Sequence, residues 1–329
     1  MKLKNKLLNI FLLFSFFIIP INAFAYSNHV ILGGKNVGIE VHSKGIMIVG
    51  FYQVNNSYIG KDAGLELGDK IIKVNDKEVD SIEQMIKNIN NSINDNSIKL
   101  AISRNGKEFN TNLKLIKEVN GIYKTGLYVK DQITGIGTLT YIDPGTKIFG
   151  ALGHEIVESS SNTKMEIKDG KIFKSSVTGA NKSTRNKTGE KNATFHEDIV
   201  YGRIDENTTS GIFGTYTSDI NNNNLIEVGR ISDISLGEAY IRTVLSEEKV
   251  ENYKINILKI NENSDNKNIL FEITDKKLLS KTNGVIKGMS GSPIIQNNKL
   301  IGAVTHAIVN DNNKGYGIFI TTMLEEGEN

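Results

Sequence analysis

Short apolar runs rich in β-branched residues, separated by Gly, Asn and Asp, dominate this chain after its first residues. Short runs of this kind, bounded by turn residues, predict strands. Residues 46–54, "IMIVGFYQV", are apolar almost throughout and predict a buried strand. "KIIKV" predicts a second, ending at the Asn75-Asp76 turn. Between residues 81 and 90 the pattern changes. Ile82, Met85, Ile86 and Ile89 fall on one helical face, and Ser81 with Gln84 forms a capping box at its start. Residues 97–104 and 107–115 flank Asn105-Gly106 and predict a hairpin.

From residue 121 onward the pattern is almost wholly strand-like. "GIGTLTYI", "KIFGAL", "GIFGTYT", "EAYIRTVL", "YKINILKI", "NILFEIT", "SPIIQ", "LIGAVTHAIV" and "YGIFITTML" are separated by turn residues, among them Asp143-Pro144-Gly145 and Asn297-Asn298. So many short strands over about two hundred residues favour a barrel or sandwich. Residues 175–192 and 221–224 are polar and predict loops.

The leader changes the picture of where the protein works. Lys2, Lys4 and Lys6 precede an apolar stretch at residues 7–19, Pro20 breaks it, and Ala23-Phe24-Ala25 offers a small-x-small cleavage site. Residues 1–25 therefore read as an export signal, either removed or kept as an anchor. The 329-residue chain contains no cysteine, which excludes disulfides, a thiolate nucleophile and Cys-bound metals. Its net charge of +2, with no basic stripe, excludes a nucleic-acid partner.

Two stretches carry candidate chemistry. Gly288-Met289-Ser290-Gly291 sets a serine between glycines just ahead of a strand. A nucleophilic serine needs an exposed hydroxyl and nearby main-chain N–H groups, and flanking glycines permit the backbone angles such a turn demands. "GALGHE" supplies His154, a base of near-neutral pKa. Of the other histidines, His29 and His42 fall in the first domain, His196 reads as a loop residue, and His306 lies in an apolar run, where it is expected to line a pocket beside the serine. An α/β-hydrolase elbow is excluded, since that turn reads G-x-S-x-G and here Ser292 holds the last position. No H-E-x-x-H occurs, so neither a metal nor a cofactor is expected.

"AGLELGDKIIKVND" resembles a PDZ domain of the bacterial protease-associated kind, placed over residues 30–117. The resemblance implies that "GGKNVGIEV" is its carboxylate-binding loop and ligand-pairing strand. Val37, Gly38 and Ile39 would then bind a peptide by strand addition, with Gly38 admitting the carboxylate.

With "GALGHEIVE" and "TDKKLLSKTNGVIKGMSGSPIIQNNKLIGAVTHAIVND", the exported portion resembles the stage IV sporulation protein B (SpoIVB) serine peptidase family. That resemblance implies a mainly β protein, a PDZ domain followed by a chymotrypsin-like double β-barrel over residues 121–329. It implies Ser290 as nucleophile, His154 as base, Asp275 as the carboxylate orienting the base, and an oxyanion hole from the amides of Gly288 and Ser290. Asp143 and Asp198 remain physical competitors for the acid. It further implies an endopeptidase exported from the forespore into the space between the two membranes. There it would cleave a membrane-associated regulatory protein, leading to intramembrane-protease activation and sigma factor processing, and would cleave itself near its N-terminus. The alternative from another class is a non-catalytic PDZ adaptor with a structural β domain.

Overall fold

The computed structural model describes residues 26–91, 96–119, 121–220 and 224–328. The leader expected over residues 1–25 lies outside them, as do residues 221–223 of the expected Asn-rich loop. The chain enters on β1 (His29–Leu32) and the long β2 (Asn36–Phe51). It then passes through α1 (Ile59–Asp62), β3 (Lys70–Val74), α2 (Ile82–Asn91), β4 (Ser97–Arg104) and β5 (Lys107–Lys114). It returns on an equally long β6 (Leu127–Ile142). Next come β7 (Ile148–Ala151), β8 (Ile167–Asn181), β9 (Glu190–Thr208), β10 (Gly211–Tyr216) and β11 (Leu225–Val228). The last part holds β12 (Gly237–Val244), β13 (Val250–Ile260), β14 (Ile269–Ile273), α3 (Lys276–Thr282), β15 (Pro293–Gln296), β16 (Lys299–Ala307), β17 (Lys314–Phe319) and α4 (Ile320–Gly327).

The strands close into two six-stranded antiparallel barrels. In the first, β2, β8, β9, β10, β7 and β6 pair in a ring around Val37, Ile39, Leu139, Phe149, Ile172 and Ile212. In the second, β12, β13, β14, β17, β16 and β15 do the same around Ile241, Tyr253, Ile255, Phe271, Ile294 and Val304. Closure pairs most of the strand edges, and each fully buried aliphatic or aromatic side chain contributes about 1.5–3 kcal/mol. β11 pairs with β1 and runs parallel to β16, tying the barrels together. This is the β-rich chymotrypsin-like architecture.

A third core belongs to the PDZ domain. Ile46 and Ile48 from β2, Ile71 and Val74 from β3, Met85 and Ile89 from α2, and Leu100 from β4 pack together. Half of the expected capping box is present: Ser81 Oγ accepts the Gln84 amide at 3.2 Å, while the Gln84 side chain accepts the Asp80 amide at 3.1 Å rather than that of Ser81. This domain is inserted into the first barrel between β2 and β6. Both strands are sixteen residues long, about 53 Å when extended, enough to serve a core at each end. The polar break at residues 42–45 is where the β2–β6 register shifts and the strand passes from one core to the other.

Two expectations are corrected here. Val37, Gly38 and Ile39 pair with β6 on one side and β8 on the other, so no strand edge is left there for a peptide. Gly38 admits an aromatic ring rather than a carboxylate: a Cβ there would lie 2.1 Å from the Phe173 ring. Of the loop expected over residues 175–192, only 182–189 connect strands; 175–181 and 190–192 belong to β8 and β9. β8 and β9 pair from Gly170 to Asn181, and the ladder rests on main-chain groups, which need no apolar side chains.

Candidate active site

Ser290 stands on the segment that leads from α3 into β15. Gly288 (φ 91°) and Gly291 (φ 87°) occupy the left-handed region on either side of it. The turn is pinned to the first barrel by β6. Thr138 donates its N–H to the Ser290 carbonyl (2.9 Å) and its hydroxyl to the Gly288 carbonyl (2.8 Å), and the Thr140 hydroxyl donates to the Gly291 carbonyl (2.8 Å). On the other side the Gly291 amide donates to the Val304 carbonyl of β16 at 2.7 Å. The Ser290 loop is thus clamped between barrels.

His154 follows β7. Leu152 (φ 69°) and Gly153 (φ 72°) turn the chain there, and His154 Nε2 comes to 3.0 Å from Ser290 Oγ. Its Nδ1 lies 2.8 Å from the main-chain carbonyl of Glu155. A carbonyl oxygen can only accept, so Nδ1 carries the proton and the Nε2 lone pair faces the serine hydroxyl. Ser290 Oγ has a second acceptor at 3.1 Å, the Thr305 carbonyl. Among the described residues, the amides of Gly288 and Ser290 have no hydrogen-bond partner, and both residues line the same cleft of about 620 Å³.

Burial pushes the His154 imidazole below the ordinary histidine value, and the Glu155 carbonyl and carboxylate offset part of that shift. His306 also lines the cleft, its ring centre 5.3 Å from that of His154. Burial, reinforced by His154 and then by Lys267, pushes it down to about 4. Both rings are therefore neutral at neutral pH, which leaves His154 free to take up a proton.

The three carboxylates considered from the sequence all lie elsewhere. Asp275 caps α3, accepting the Leu278 amide at 2.9 Å, and also faces the Lys254 amide. A helix N-terminus has unpaired N–H groups to offer, and Asp is among the residues best suited to accept them. Asp143 is buried in the β6–β7 turn, where it accepts the Ser27 amide and hydroxyl and the Gly145 amide. Against the upward push of burial, those bonds hold its pKa below the usual carboxylate range. Asp198 is exposed on β9. None of the three contacts His154 among the described residues, and the group at Nδ1 is main chain.

Thr138, Thr140 and Glu155 were not singled out from the sequence. Buried threonines two residues apart in "GTLTYI", amid apolar neighbours, were the available signal for the clamp. A main-chain acceptor has no signature in sequence.

A sequence model of SpoIVB peptidase S55 matches residues 121–324, more than half of the chain. A PDZ domain model matches residues 36–115. No curated protein matches the chain.

Proposed function

The chain belongs to the SpoIVB peptidase S55 family and is a serine peptidase with a PDZ domain, and from that premise we propose that Ser290 and His154 carry its chemistry. The observation that supports this reading is the 3.0 Å approach of His154 Nε2 to Ser290 Oγ within the cleft. Ser290 Oγ attacks the substrate carbonyl as its proton passes to Nε2. The carbonyl oxygen takes up the displaced electron pair, and the amides of Gly288 and Ser290 receive it. Collapse expels the amine, which takes the proton from Nε2 and leaves an acyl-serine. A water then gives a proton to Nε2 and attacks the acyl carbon, and the released Ser290 Oγ recovers that proton. The Glu155 carbonyl holds the tautomer and orientation of His154 throughout.

The leader pattern and the family favour a role outside the cytoplasm, cutting a membrane-associated regulatory protein during endospore formation. Self-cleavage fits the same reading. A cut that preserves the fold belongs ahead of His29, because β1 is paired to β6 and β11 from that residue on. A fluorophosphonate probe tests the chemistry. Ser290-dependent labelling is expected, abolished in Ser290→Ala and strongly reduced in His154→Ala. Labelling that persists in Ser290→Ala refutes the assignment. No labelling of the folded wild-type protein favours the adaptor alternative. Identical N-termini in wild type and Ser290→Ala count against self-cleavage.

A further inference from the structure

β6 joins the catalytic cleft to the PDZ domain, and part of one edge is open. From Thr138 back to Gln132 it pairs with β2 residue for residue, with no register shift from Asn36 to His42. Thr138 fixes the direction of the main chain. Its N–H goes to the Ser290 carbonyl, and its own carbonyl accepts the Leu152 amide at 3.4 Å, so both groups face away from β2. Directions repeat at every second residue of an antiparallel strand. Ile136, Thr134 and Gln132 therefore turn their N–H and C=O groups to that same side. Among the described residues, none of these six groups has a partner.

The open edge starts in the catalytic cleft. Ile133, Gly135 and Ile136 line it together with Ser290 and His154. A Cβ on Gly135 would meet nothing within 4 Å, so the space over the strand is free. Across the cleft stands a short ribbon in which Val157 pairs with Lys164. Its buried Glu158 accepts the Ser160 and Ser161 amides and pairs with Lys130 Nζ at 3.0 Å. Lys130 belongs to β6, so the ribbon is anchored to the strand at the far end of the open stretch. Beyond it lies the PDZ core.

We infer that one flank of the protein substrate docks as an added strand on this edge, from Ile136 to Gln132, and is led from the scissile bond toward the PDZ domain. The inference rests on the serine peptidase reading and extends it. Unpaired main-chain groups are matched by an extended polypeptide, which brings the same alternation of donors and acceptors. Four residue steps span about 13 Å, so about five residues of extended substrate fill the stretch. Continuity with the catalytic cleft points to a segment of the cleaved chain as occupant. The strand-addition site expected at Val37, Gly38 and Ile39 is closed, and this edge offers the same chemistry to one side of it.

Thr134→Pro tests the inference, because proline is tolerated where the N–H lies outside the ladder and removes the donor aimed at the substrate. Wild type and variant are compared on short and long members of a random-sequence peptide library and on a small ester. The expected result is a fall of about tenfold in the ratio of long-peptide to ester turnover, the scale of one or two main-chain hydrogen bonds. An unchanged ratio overturns the inference. Should Thr134→Pro fail to fold, amide exchange on Ser290→Ala bound to the long peptide decides the matter. Slowed exchange at Gln132, Thr134 and Ile136 supports the added strand, and unaltered exchange there overturns it. Absence of ester turnover and probe labelling in folded wild type instead overturns the peptidase reading beneath it.

Discussion

His154 Nδ1 points at the main-chain carbonyl of Glu155, 2.8 Å away, while the Asp275 carboxylate caps a helix. The His154 ring is thus oriented by a group that no side-chain substitution removes. Asp275→Asn should keep kcat/KM within about twofold of wild type, because asparagine caps as well as aspartate. Asp275→Ala should lower stability by about 1 kcal/mol through loss of the cap, read from urea denaturation. A loss of kcat/KM of about 10⁴-fold in Asp275→Asn, the cost of losing a carboxylate that holds the base, would restore the carboxylate to the site.

The acid limb of the pH profile should lie low. Proton uptake by His154 removes the lone pair that accepts the Ser290 proton, so kcat/KM falls as pH drops through the free-enzyme pKa. Burial favours the neutral imidazole and lowers that pKa. The half-maximal point should therefore fall below about 6.5, the ordinary histidine value. A limb centred above it contradicts the buried setting.

Gly291→Ala should abolish activity. A Cβ there would lie 2.1 Å from the Thr138 carbonyl and 2.5 Å from the Leu152 amide nitrogen, both main chain, and φ is 87°. Relief requires the Ser290 loop to leave its clamp on β6, at a stability cost of several kcal/mol. Probe labelling and thermal unfolding should both register the loss, whereas near-normal labelling would mean that the loop can shift and keep its geometry.

Lys191 should make stability depend on pH. Its amine is fully buried, 2.9 Å from the Thr243 hydroxyl and 3.3 Å from the Asn36 side-chain Oδ1, and burial pushes it down to about 7. An unfolded lysine holds its proton to about 10.4. Between those values the unfolded chain binds more protons, so stability rises with pH from about 7 to about 10, by at most about 1.4 kcal/mol per unit. Lys191→Met should flatten that rise in urea titrations at several pH values. An unchanged slope would place its origin in other groups.

Much of the local structure was already legible. Asn75, Asn105 and Asn297 open turns with positive φ, as their Asn-Asp, Asn-Gly and Asn-Asn pairs imply, and α2 begins with the Ser81–Gln84 bond. The glycines around Ser290 adopt the angles for which glycine is needed. Such features depend on residues close in sequence, where side-chain chemistry and backbone preference act directly.

What lay beyond reach involved partners. The apolar run at residues 46–54 told that Ile46 is buried, but nothing in the sequence set Val37 and Ile39 in a barrel core and Ile46 in a PDZ core. Asp275 has the chemistry of both a catalytic acid and a helix cap, and the position of α3 selected the cap. The sequence by itself determined strands, turns, the glycine-flanked serine and a histidine able to serve it. Tertiary structure alone decided that β2 and β6 serve two cores, that Thr138 clamps the serine loop, and that a carbonyl steadies His154. The physical reason is that strand pairing and these clamps rest on main-chain N–H and C=O groups, which are the same in nearly every residue and acquire partners only when the chain is folded.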